Sequence, residues 1–165
     1  MEIKFPQALT AFRYLFLCFL TIGILVSCNR RHRPFTASDR NAVKDNILRL
    51  TADVARDVSA KGPVAWLDYF DDASGFFMAT DGRLAFLGYP AAKKFILDTI
   101  VKSIPSISLH WSNQQIDPLS RRMATVGADY QETLTMADRK TVAVEGYFTA
   151  TACLTHQGWK LHNLH

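Results

Sequence analysis

Four polar side chains occupy positions at which the predicted strands should bury apolar residues. Each is of a type that could bind a ligand or take part in catalysis. They are Tyr130, Glu132, Asn163 and His165. Glu132 shares the inward phase of Tyr130 in a stretch that alternates between apolar and polar residues. A carboxylate desolvated there has a raised pKa and can act as a general base. The open alternative is that Glu132 lies in water at the edge of the core, or that a bulge turns it outward.

His165 is the second candidate base, because an imidazole titrates near neutral pH. Its alternative is a frayed terminal residue, since His165 is the last in the sequence. Tyr130 can equally be a core aromatic with its hydroxyl at a pocket rim. His162 and His165 are three residues apart, which puts them on opposite strand faces unless a bulge intervenes, so no metal site is predicted. The sequence has no GxSxG motif and no glycine-rich phosphate loop, and we expect no cofactor.

Three stretches with a period of two must position these side chains. They begin near residue 104, at residue 121 and at residue 142, and each has one apolar face. Matching these faces predicts the pairs Met136–Val142, Leu134–Val144 and Tyr130–Phe148. In the final hairpin it predicts the pairs Leu154–Trp159, Ala152–Leu161, Ala150–Asn163 and Phe148–His165.

Helices and a small hairpin precede the strands. An apolar stripe that follows Ser38, the expected N-cap, predicts one long helix ending near Gly62, with Val43, Ile47, Leu50, Val54 and Val58 inside. This helix is followed by a short helix over residues 64–70 and by two strands over 76–80 and 83–87, which are joined at Asp81-Gly82. A third helix covers residues 91–103. We expect an α+β fold with three helices, in which a cone-shaped, curved antiparallel sheet wraps around the long N-terminal helix.

The N-terminal segment is typical of an exported chain. Lys4 and Arg13 make the segment before residue 14 positively charged. An apolar run over residues 14–27 follows, which is shorter than the roughly 20 residues that span a bilayer. The run ends in Leu-Val-Ser-Cys, which resembles the lipobox of bacterial lipoproteins and implies acylation of Cys28. The alternative is an ordinary signal peptide or an uncleaved anchor. We divide the chain into a signal peptide (1–27), a basic tether (28–37) and a domain (38–165), held in the cell envelope by lipid. The residue after Cys28 is Asn29 and not the aspartate that favours the inner membrane in Gram-negative lipoproteins, so we expect the outer membrane rather than the inner one.

The composition suits a globular domain, with 48% hydrophobic and 21% charged residues. Much of the net charge of +4 comes from arginines near the start, so we expect no nucleic-acid partner. Cys153 is the one cysteine within the predicted domain, which therefore has no internal disulfide. We expect a pocket for a small apolar ligand, lined by Trp66, Phe77, Trp111, Tyr130, Phe148, Asn163 and His165. Close packing without a ligand is the alternative.

The order of the elements, together with three segments, resembles the nuclear transport factor 2-like superfamily in its SnoaL-like and ketosteroid-isomerase-like branch. The segments are WLDYFDDASGFF from Trp66, DGRLAFLGYPAAKKF from Asp81 and EGYFTATACLTHQGWKLHNLH from Glu145. The resemblance covers residues 38–165 and implies a cone with a pocket inside its curved sheet.

The resemblance does not carry the isomerase residues over. The general-base aspartate of the ketosteroid isomerases would fall on or near Phe77, which cannot accept a proton. The predicted first helix has no tyrosine for the oxyanion, and the strand over residues 147–151 has no carboxylate to assist it.

Three hypotheses remain, because this fold hosts many functions. The first is a lipid-anchored domain that binds a small apolar ligand or a protein partner without catalysis. The second is a SnoaL-like isomerase or hydrolyase with Glu132 or His165 as the base. The third is a homodimer through the outer sheet face, which we expect to be modest because that face presents few apolar side chains: Tyr147, Thr149, Thr151, Cys153 and His162.

Overall fold

The computed structural model describes residues 33–80 and 82–165. The predicted signal peptide, residues 28–32 of the predicted tether, including Cys28, and Asp81 of the predicted hairpin turn lie outside the described residues. Phe35–His165 forms one compact unit. Within the described ranges, no helix is both long enough and apolar enough to cross a bilayer.

Helix α1 spans Ala37–Lys61, and its N-cap is Thr36 rather than the predicted Ser38. The Thr36 hydroxyl oxygen accepts a hydrogen bond from the Asp39 N–H at 3.2 Å, and the Asp39 carboxylate accepts one from the Thr36 N–H at 2.9 Å. This capping box satisfies backbone donors that the first helical turn leaves open. The five residues of the predicted apolar stripe are all buried, so the stripe faces the core as predicted.

A short 3₁₀ helix, a hairpin and a second helical region follow α1. The 3₁₀ helix spans Pro63–Asp68, where the sequence predicts an α-helix over residues 64–70. The remaining elements are β1 (Phe77–Thr80), β2 (Arg83–Leu87), α2 (Tyr89–Phe95), a π-helical turn (Ile96–Ile100) and α3 (Val101–Ser103). The predicted third helix is therefore present, but it begins earlier and contains a π-helical turn.

Six strands form one open, mixed sheet in the order β2-β1-β6-β5-β4-β3. The four C-terminal strands are β3 (Ser106–Ser120), β4 (Met123–Thr135), β5 (Thr141–Thr155) and β6 (Gly158–Leu164). Neighbouring strands are antiparallel except β1 and β6, which run parallel. The predicted α+β cone fold is confirmed, although the sheet is mixed rather than wholly antiparallel.

The register between β4 and β5 is offset by two residues from the predicted one. Leu134 pairs with Val142, and Ala128 pairs with Phe148. The predicted pairs are wrong because residues 136–140 all belong to the connecting turn, in which Arg139 has a φ of 68°. An offset of two leaves each side chain on its predicted face.

A bulge in β6 reverses the predicted facing of Asn163 and His165. The pairs in this hairpin are Leu154–Trp159, Ala152–Leu161, Thr151–Asn163 and Ala150–Leu164. The first two are as predicted, and the extra residue His162 then shifts the rest. Leu164 takes the core position at 2% exposure, while His165 exchanges backbone hydrogen bonds with Thr149. The predicted pairs of Asn163 with Ala150 and of His165 with Phe148 are therefore wrong.

We predict that Thr36→Ala lowers the free energy of unfolding by about 1 kcal/mol, because it removes the capping oxygen of α1. Ser38→Ala is the matched control, because it removes a hydroxyl group from the same helical turn at a residue that is not the cap. It should change stability by less than about 0.5 kcal/mol. Urea denaturation of both variants measures the difference. Equal losses in the two variants would contradict the assignment of Thr36 as the cap.

Candidate functional site

A cavity of about 430 Å³ opens on the inner face of the sheet at the end where α1 terminates, since Pro63 forms part of its wall. Phe95, Ile96 and Ile100 from the α2–α3 region form another part. Seven further aromatic residues line it: Trp66, Phe70, Phe86, Trp111, Tyr130, Tyr147 and Phe148. The volume and the apolar lining fall within the range of pockets that bind small molecules.

Trp111 organises the aromatic wall. Its indole Nε1–H donates to the carbonyl of Thr51 on α1 at 3.1 Å, so its polar atom is satisfied by the helix. Its ring lies 5.1 Å from the Phe148 ring between centroids, and meets Trp66 and Tyr130 edge-on at 6.4 and 6.5 Å. These contacts hold the rings in fixed orientations, which makes the wall rigid and apolar.

Glu132 places a carboxyl group in this apolar surface. It lies on β4 between Leu109 of β3 and Val144 of β5, and it is half-buried. Burial raises the pKa of Glu132 above its ordinary value, because desolvation disfavours the charged form. Among the described residues that line the cavity, Glu132 is the single carboxylate. It is therefore the group in the lining best suited to exchange a proton or to bond a polar ligand atom.

The structure brings together most of the predicted site residues. Those that line the cavity are Trp66, Trp111, Tyr130, Glu132, Phe148 and His165. In the part of the chain that the structure describes, Phe77 and Asn163 are not in the lining, which corrects their predicted placement. The bulge in β6 moves Asn163 to the outer face, and β1 pairs Phe77 with Asn163 on that side.

His165 sits at the rim, where it borders both the cavity and a depression on the outer face. Its Nδ1 lies 3.1 Å from the Thr149 hydroxyl, and its ring meets the Phe77 ring edge-on at 5.6 Å. These partners lie on the outer side of the sheet. The imidazole is thus oriented away from Glu132, and the two candidate bases do not form a pair.

The lining of the outer depression includes the polar residues Asp117, Thr125 and Thr151. The Tyr147 ring lies across Gly127 there, so close that a Cβ added at Gly127 would meet the Tyr147 hydroxyl. The modest homodimer through this face stays a prediction.

A carboxylate–imidazole pair joins Asp71 and His162, and it is not predicted from the sequence. The Asp71 Oδ2 and His162 Nδ1 are 2.9 Å apart, and the Asp71 residue is only 7% exposed. The other carboxylate oxygen accepts from the Ala73 N–H at 3.2 Å, and the Asp71 N–H donates to Leu161 at 2.8 Å. The pair fixes the loop after the 3₁₀ helix to β6, outside the cavity lining. No local sequence pattern predicts this pair, since the partners are 91 residues apart.

No protein-family model and no curated protein matches this sequence. Solved structures do match it. A nuclear transport factor 2-like superfamily protein from Salmonella enterica is 15% identical, with a TM-score of 0.65 over 76% of this chain and 89% of that one. The hexachlorocyclohexane dehydrochlorinase LinA-type3 from Novosphingobium barchaimii is 14% identical, with a TM-score of 0.62 over 78% and 88%. A Novosphingobium aromaticivorans protein provisionally described as a scytalone dehydratase is 22% identical, with a TM-score of 0.64 over 77% and 85%.

The described domain is an α+β cone with an internal cavity. Its fold is that of the nuclear transport factor 2-like proteins, including the SnoaL-like type, as the sequence predicts. Identities this low show the fold alone, so function has to be argued from the residues of this chain.

We predict that Glu132→Gln changes how stability depends on pH. Because the folded-state pKa is raised above the ordinary 4.5, the folded chain retains this proton longer than the unfolded chain. Ionising Glu132 therefore lowers the free energy of unfolding as the pH rises above about 4.5, a loss that glutamine does not suffer. The stability of the variant relative to the wild type should rise between about pH 4 and pH 7.

Denaturant unfolding at a series of pH values measures this trend. Glu145→Gln on the exposed face of β5 is the matched control, and its stability curve should stay parallel to the wild type. Parallel curves for Glu132→Gln as well would contradict a desolvated carboxyl in the cavity.

Proposed function

We propose that this chain is an exported lipoprotein whose cone-shaped domain binds a small, mainly apolar ligand without converting it. The observation that carries the proposal is the cavity, whose wall is aromatic and aliphatic apart from a few polar groups such as Glu132. A rigid apolar wall gives affinity by burying ligand surface, and a single buried polar group orients the ligand.

The carboxyl group narrows the ligand chemistry. With a raised pKa, Glu132 holds its proton over a wider pH range and can then donate a hydrogen bond as well as accept one. The Trp111 N–H already donates to α1, so it is not available as a donor to the ligand. We therefore propose a ligand with an apolar body and one hydroxyl, carbonyl or amine group that meets Glu132.

Binding is favoured over catalysis because the ionisable groups do not converge. Acid–base catalysis needs groups within hydrogen-bond reach of one reacting centre. His165 bonds to Thr149 on the outer side, and the Asp71–His162 pair lies outside the cavity lining. Within the described lining the one imidazole, His165, lies at the rim and is bonded to Thr149 rather than to Glu132.

The second proposal is a SnoaL-like isomerase or hydrolyase with Glu132 as the general base. The burial of Glu132 favours it, since a carboxyl of raised pKa is suited to proton abstraction near neutral pH. Two proteins of the same fold carry the names of a dehydrochlorinase and, provisionally, a dehydratase. A turnover that survives Glu132→Gln would exclude this proposal, and His165→Ala tests the rim residue in the same way.

We predict that the uncharged fluorophore N-phenyl-1-naphthylamine binds the domain saturably. Leu134→Trp should weaken its binding at least about tenfold, because a larger side chain at the cavity wall fills the space. Leu87→Trp on the exposed edge strand β2 is the matched control and should leave binding unchanged. Fluorescence titration measures both, with circular dichroism to show that each variant is folded. Equal binding by the two variants would place the probe elsewhere.

The proposed anchoring has a separate prediction. Cys28→Ser should abolish acylation and block signal processing, because Cys28 would carry the lipid and mark the cleavage site, so the variant should accumulate as the larger precursor. Immunoblotting measures the size of the chain and labelled palmitate measures its acylation, and Cys153→Ser is the control that removes a different cysteine. Unchanged processing and acylation of the Cys28→Ser chain would contradict the lipoprotein proposal without affecting the cavity.

A further inference from the structure

The turn between β3 and β4 is fixed beside the start of α1, at the opposite end of the helix from the cavity. The Arg121 guanidinium bonds both oxygens of Asp39 in the first turn of α1, at 3.0 and 2.7 Å. Arg40 of the same turn donates to the carbonyl of Pro118 at 3.0 Å. These bonds hold the turn against the residues at which the predicted tether enters the domain.

We call residues 118–123 together with Arg40 the anchor-end tip. Two large apolar side chains of this tip are exposed, Leu119 at 50% and Met123 at 41%. Arg122 and Arg40 are exposed beside them. Exposed apolar side chains among arginines are the combination that partitions into the interface of an anionic membrane.

Two of the three arginines of the tip, Arg40 and Arg122, are held by partners that do not neutralise their charge. Arg40 donates to the Pro118 carbonyl, and Arg122 donates to the Leu154 carbonyl at 2.9 Å. Arg121 and Asp39 form an ion pair, so their charges offset each other. Asp117 is the exposed acid next to the tip along β3. The tip therefore has an excess of positive charge, and the predicted tether contains two further arginines, Arg30 and Arg31.

We propose that the anchor-end tip docks onto a phospholipid surface that carries anionic headgroups. The inference rests on the proposed lipid anchor, because residues 29–36 separate Cys28 from α1 and span at most about 28 Å when fully extended. An acylated Cys28 thus keeps the tip within reach of the bilayer. Leu119 and Met123 insert among the acyl chains near the headgroups, while Arg40 and Arg122 bind phosphate groups.

A site-specific fluorescent label tests this placement. The acylated full chain with Cys153→Ser is labelled at Leu119→Cys with an environment-sensitive fluorophore and reconstituted into vesicles that contain nitroxide-labelled lipid. Val142→Cys is the matched control, since Val142 is similarly exposed at 43% but lies beside the β4–β5 turn. In phosphatidylcholine vesicles with one quarter phosphatidylglycerol, we expect the label at 119 to be quenched at least twofold more than the label at 142.

Two further measurements test whether the arginines of the tip are needed and whether its partner is a membrane. Arg40→Gln with Arg122→Gln, or vesicles of phosphatidylcholine alone, should reduce the quenching at 119 by at least half. Equal quenching at 119 and 142 would overturn the proposal. A blue shift at 119 that grows with protein concentration in the absence of vesicles would assign the tip to a second copy and overturn it too.

The outcomes also separate this inference from the proposed anchor. A chain that floats with the vesicles but shows no quenching at 119 contradicts the docking alone. Quenching at 119 that is identical in a chain that begins at Asn29, and so has neither lipid nor signal peptide, supports the docking and shows that it does not depend on the anchor. A chain that does not float contradicts both.

Discussion

The fold depends on the close packing of α1 against an alanine-rich stretch of the sheet. Ala124 on β4 and Ala150 and Ala152 on β5 are all buried beneath the helix, which contributes Ile47 to the same cluster. Small side chains let the helix backbone approach the strands, and the sheet curves around the helix to cover its apolar stripe. Each fully buried aliphatic side chain of that stripe stabilises the domain by about 1.5–3 kcal/mol. The remaining elements are arranged around this contact.

The cavity exists because the same strands change side-chain size along their length. Beyond the alanines, β3, β4 and β5 carry Trp111, Tyr130 and Phe148, whose rings keep the sheet away from the end of α1. Trp111 bonds the Thr51 carbonyl and so fixes the distance between wall and helix. The Tyr130 ring lies over Gly146, where an added Cβ would come within 2.9 Å of the ring. A glycine is therefore needed for the ring to lie flat along the wall instead of filling the space.

Periodicity predicts the facing of side chains well and their partners poorly. The period of two places Tyr130 and Glu132 on the inner face, because alternation along a strand does not depend on the neighbouring strand. Pairing depends on turn length, and the turn over residues 136–140 is longer than Asp138-Arg139-Lys140 alone suggests. At the bulge, His162 bonds Asp71, which is distant in sequence, and alternation fails for Asn163 and His165. The inner wall of the site is thus predictable, while its rim requires the tertiary structure.

The positions of the tip and the cavity constrain the ligand chemistry. They lie toward opposite ends of α1, whose 25 residues extend about 37 Å at 1.5 Å per residue. If lipid on Cys28 holds the tip at the bilayer, as we propose, the cavity opens on the side of the domain remote from the membrane. A ligand would then enter from the aqueous phase rather than from the acyl chains. That route favours a molecule with some solubility in water, which agrees with a wall that sets one carboxyl group, Glu132, among aromatic rings.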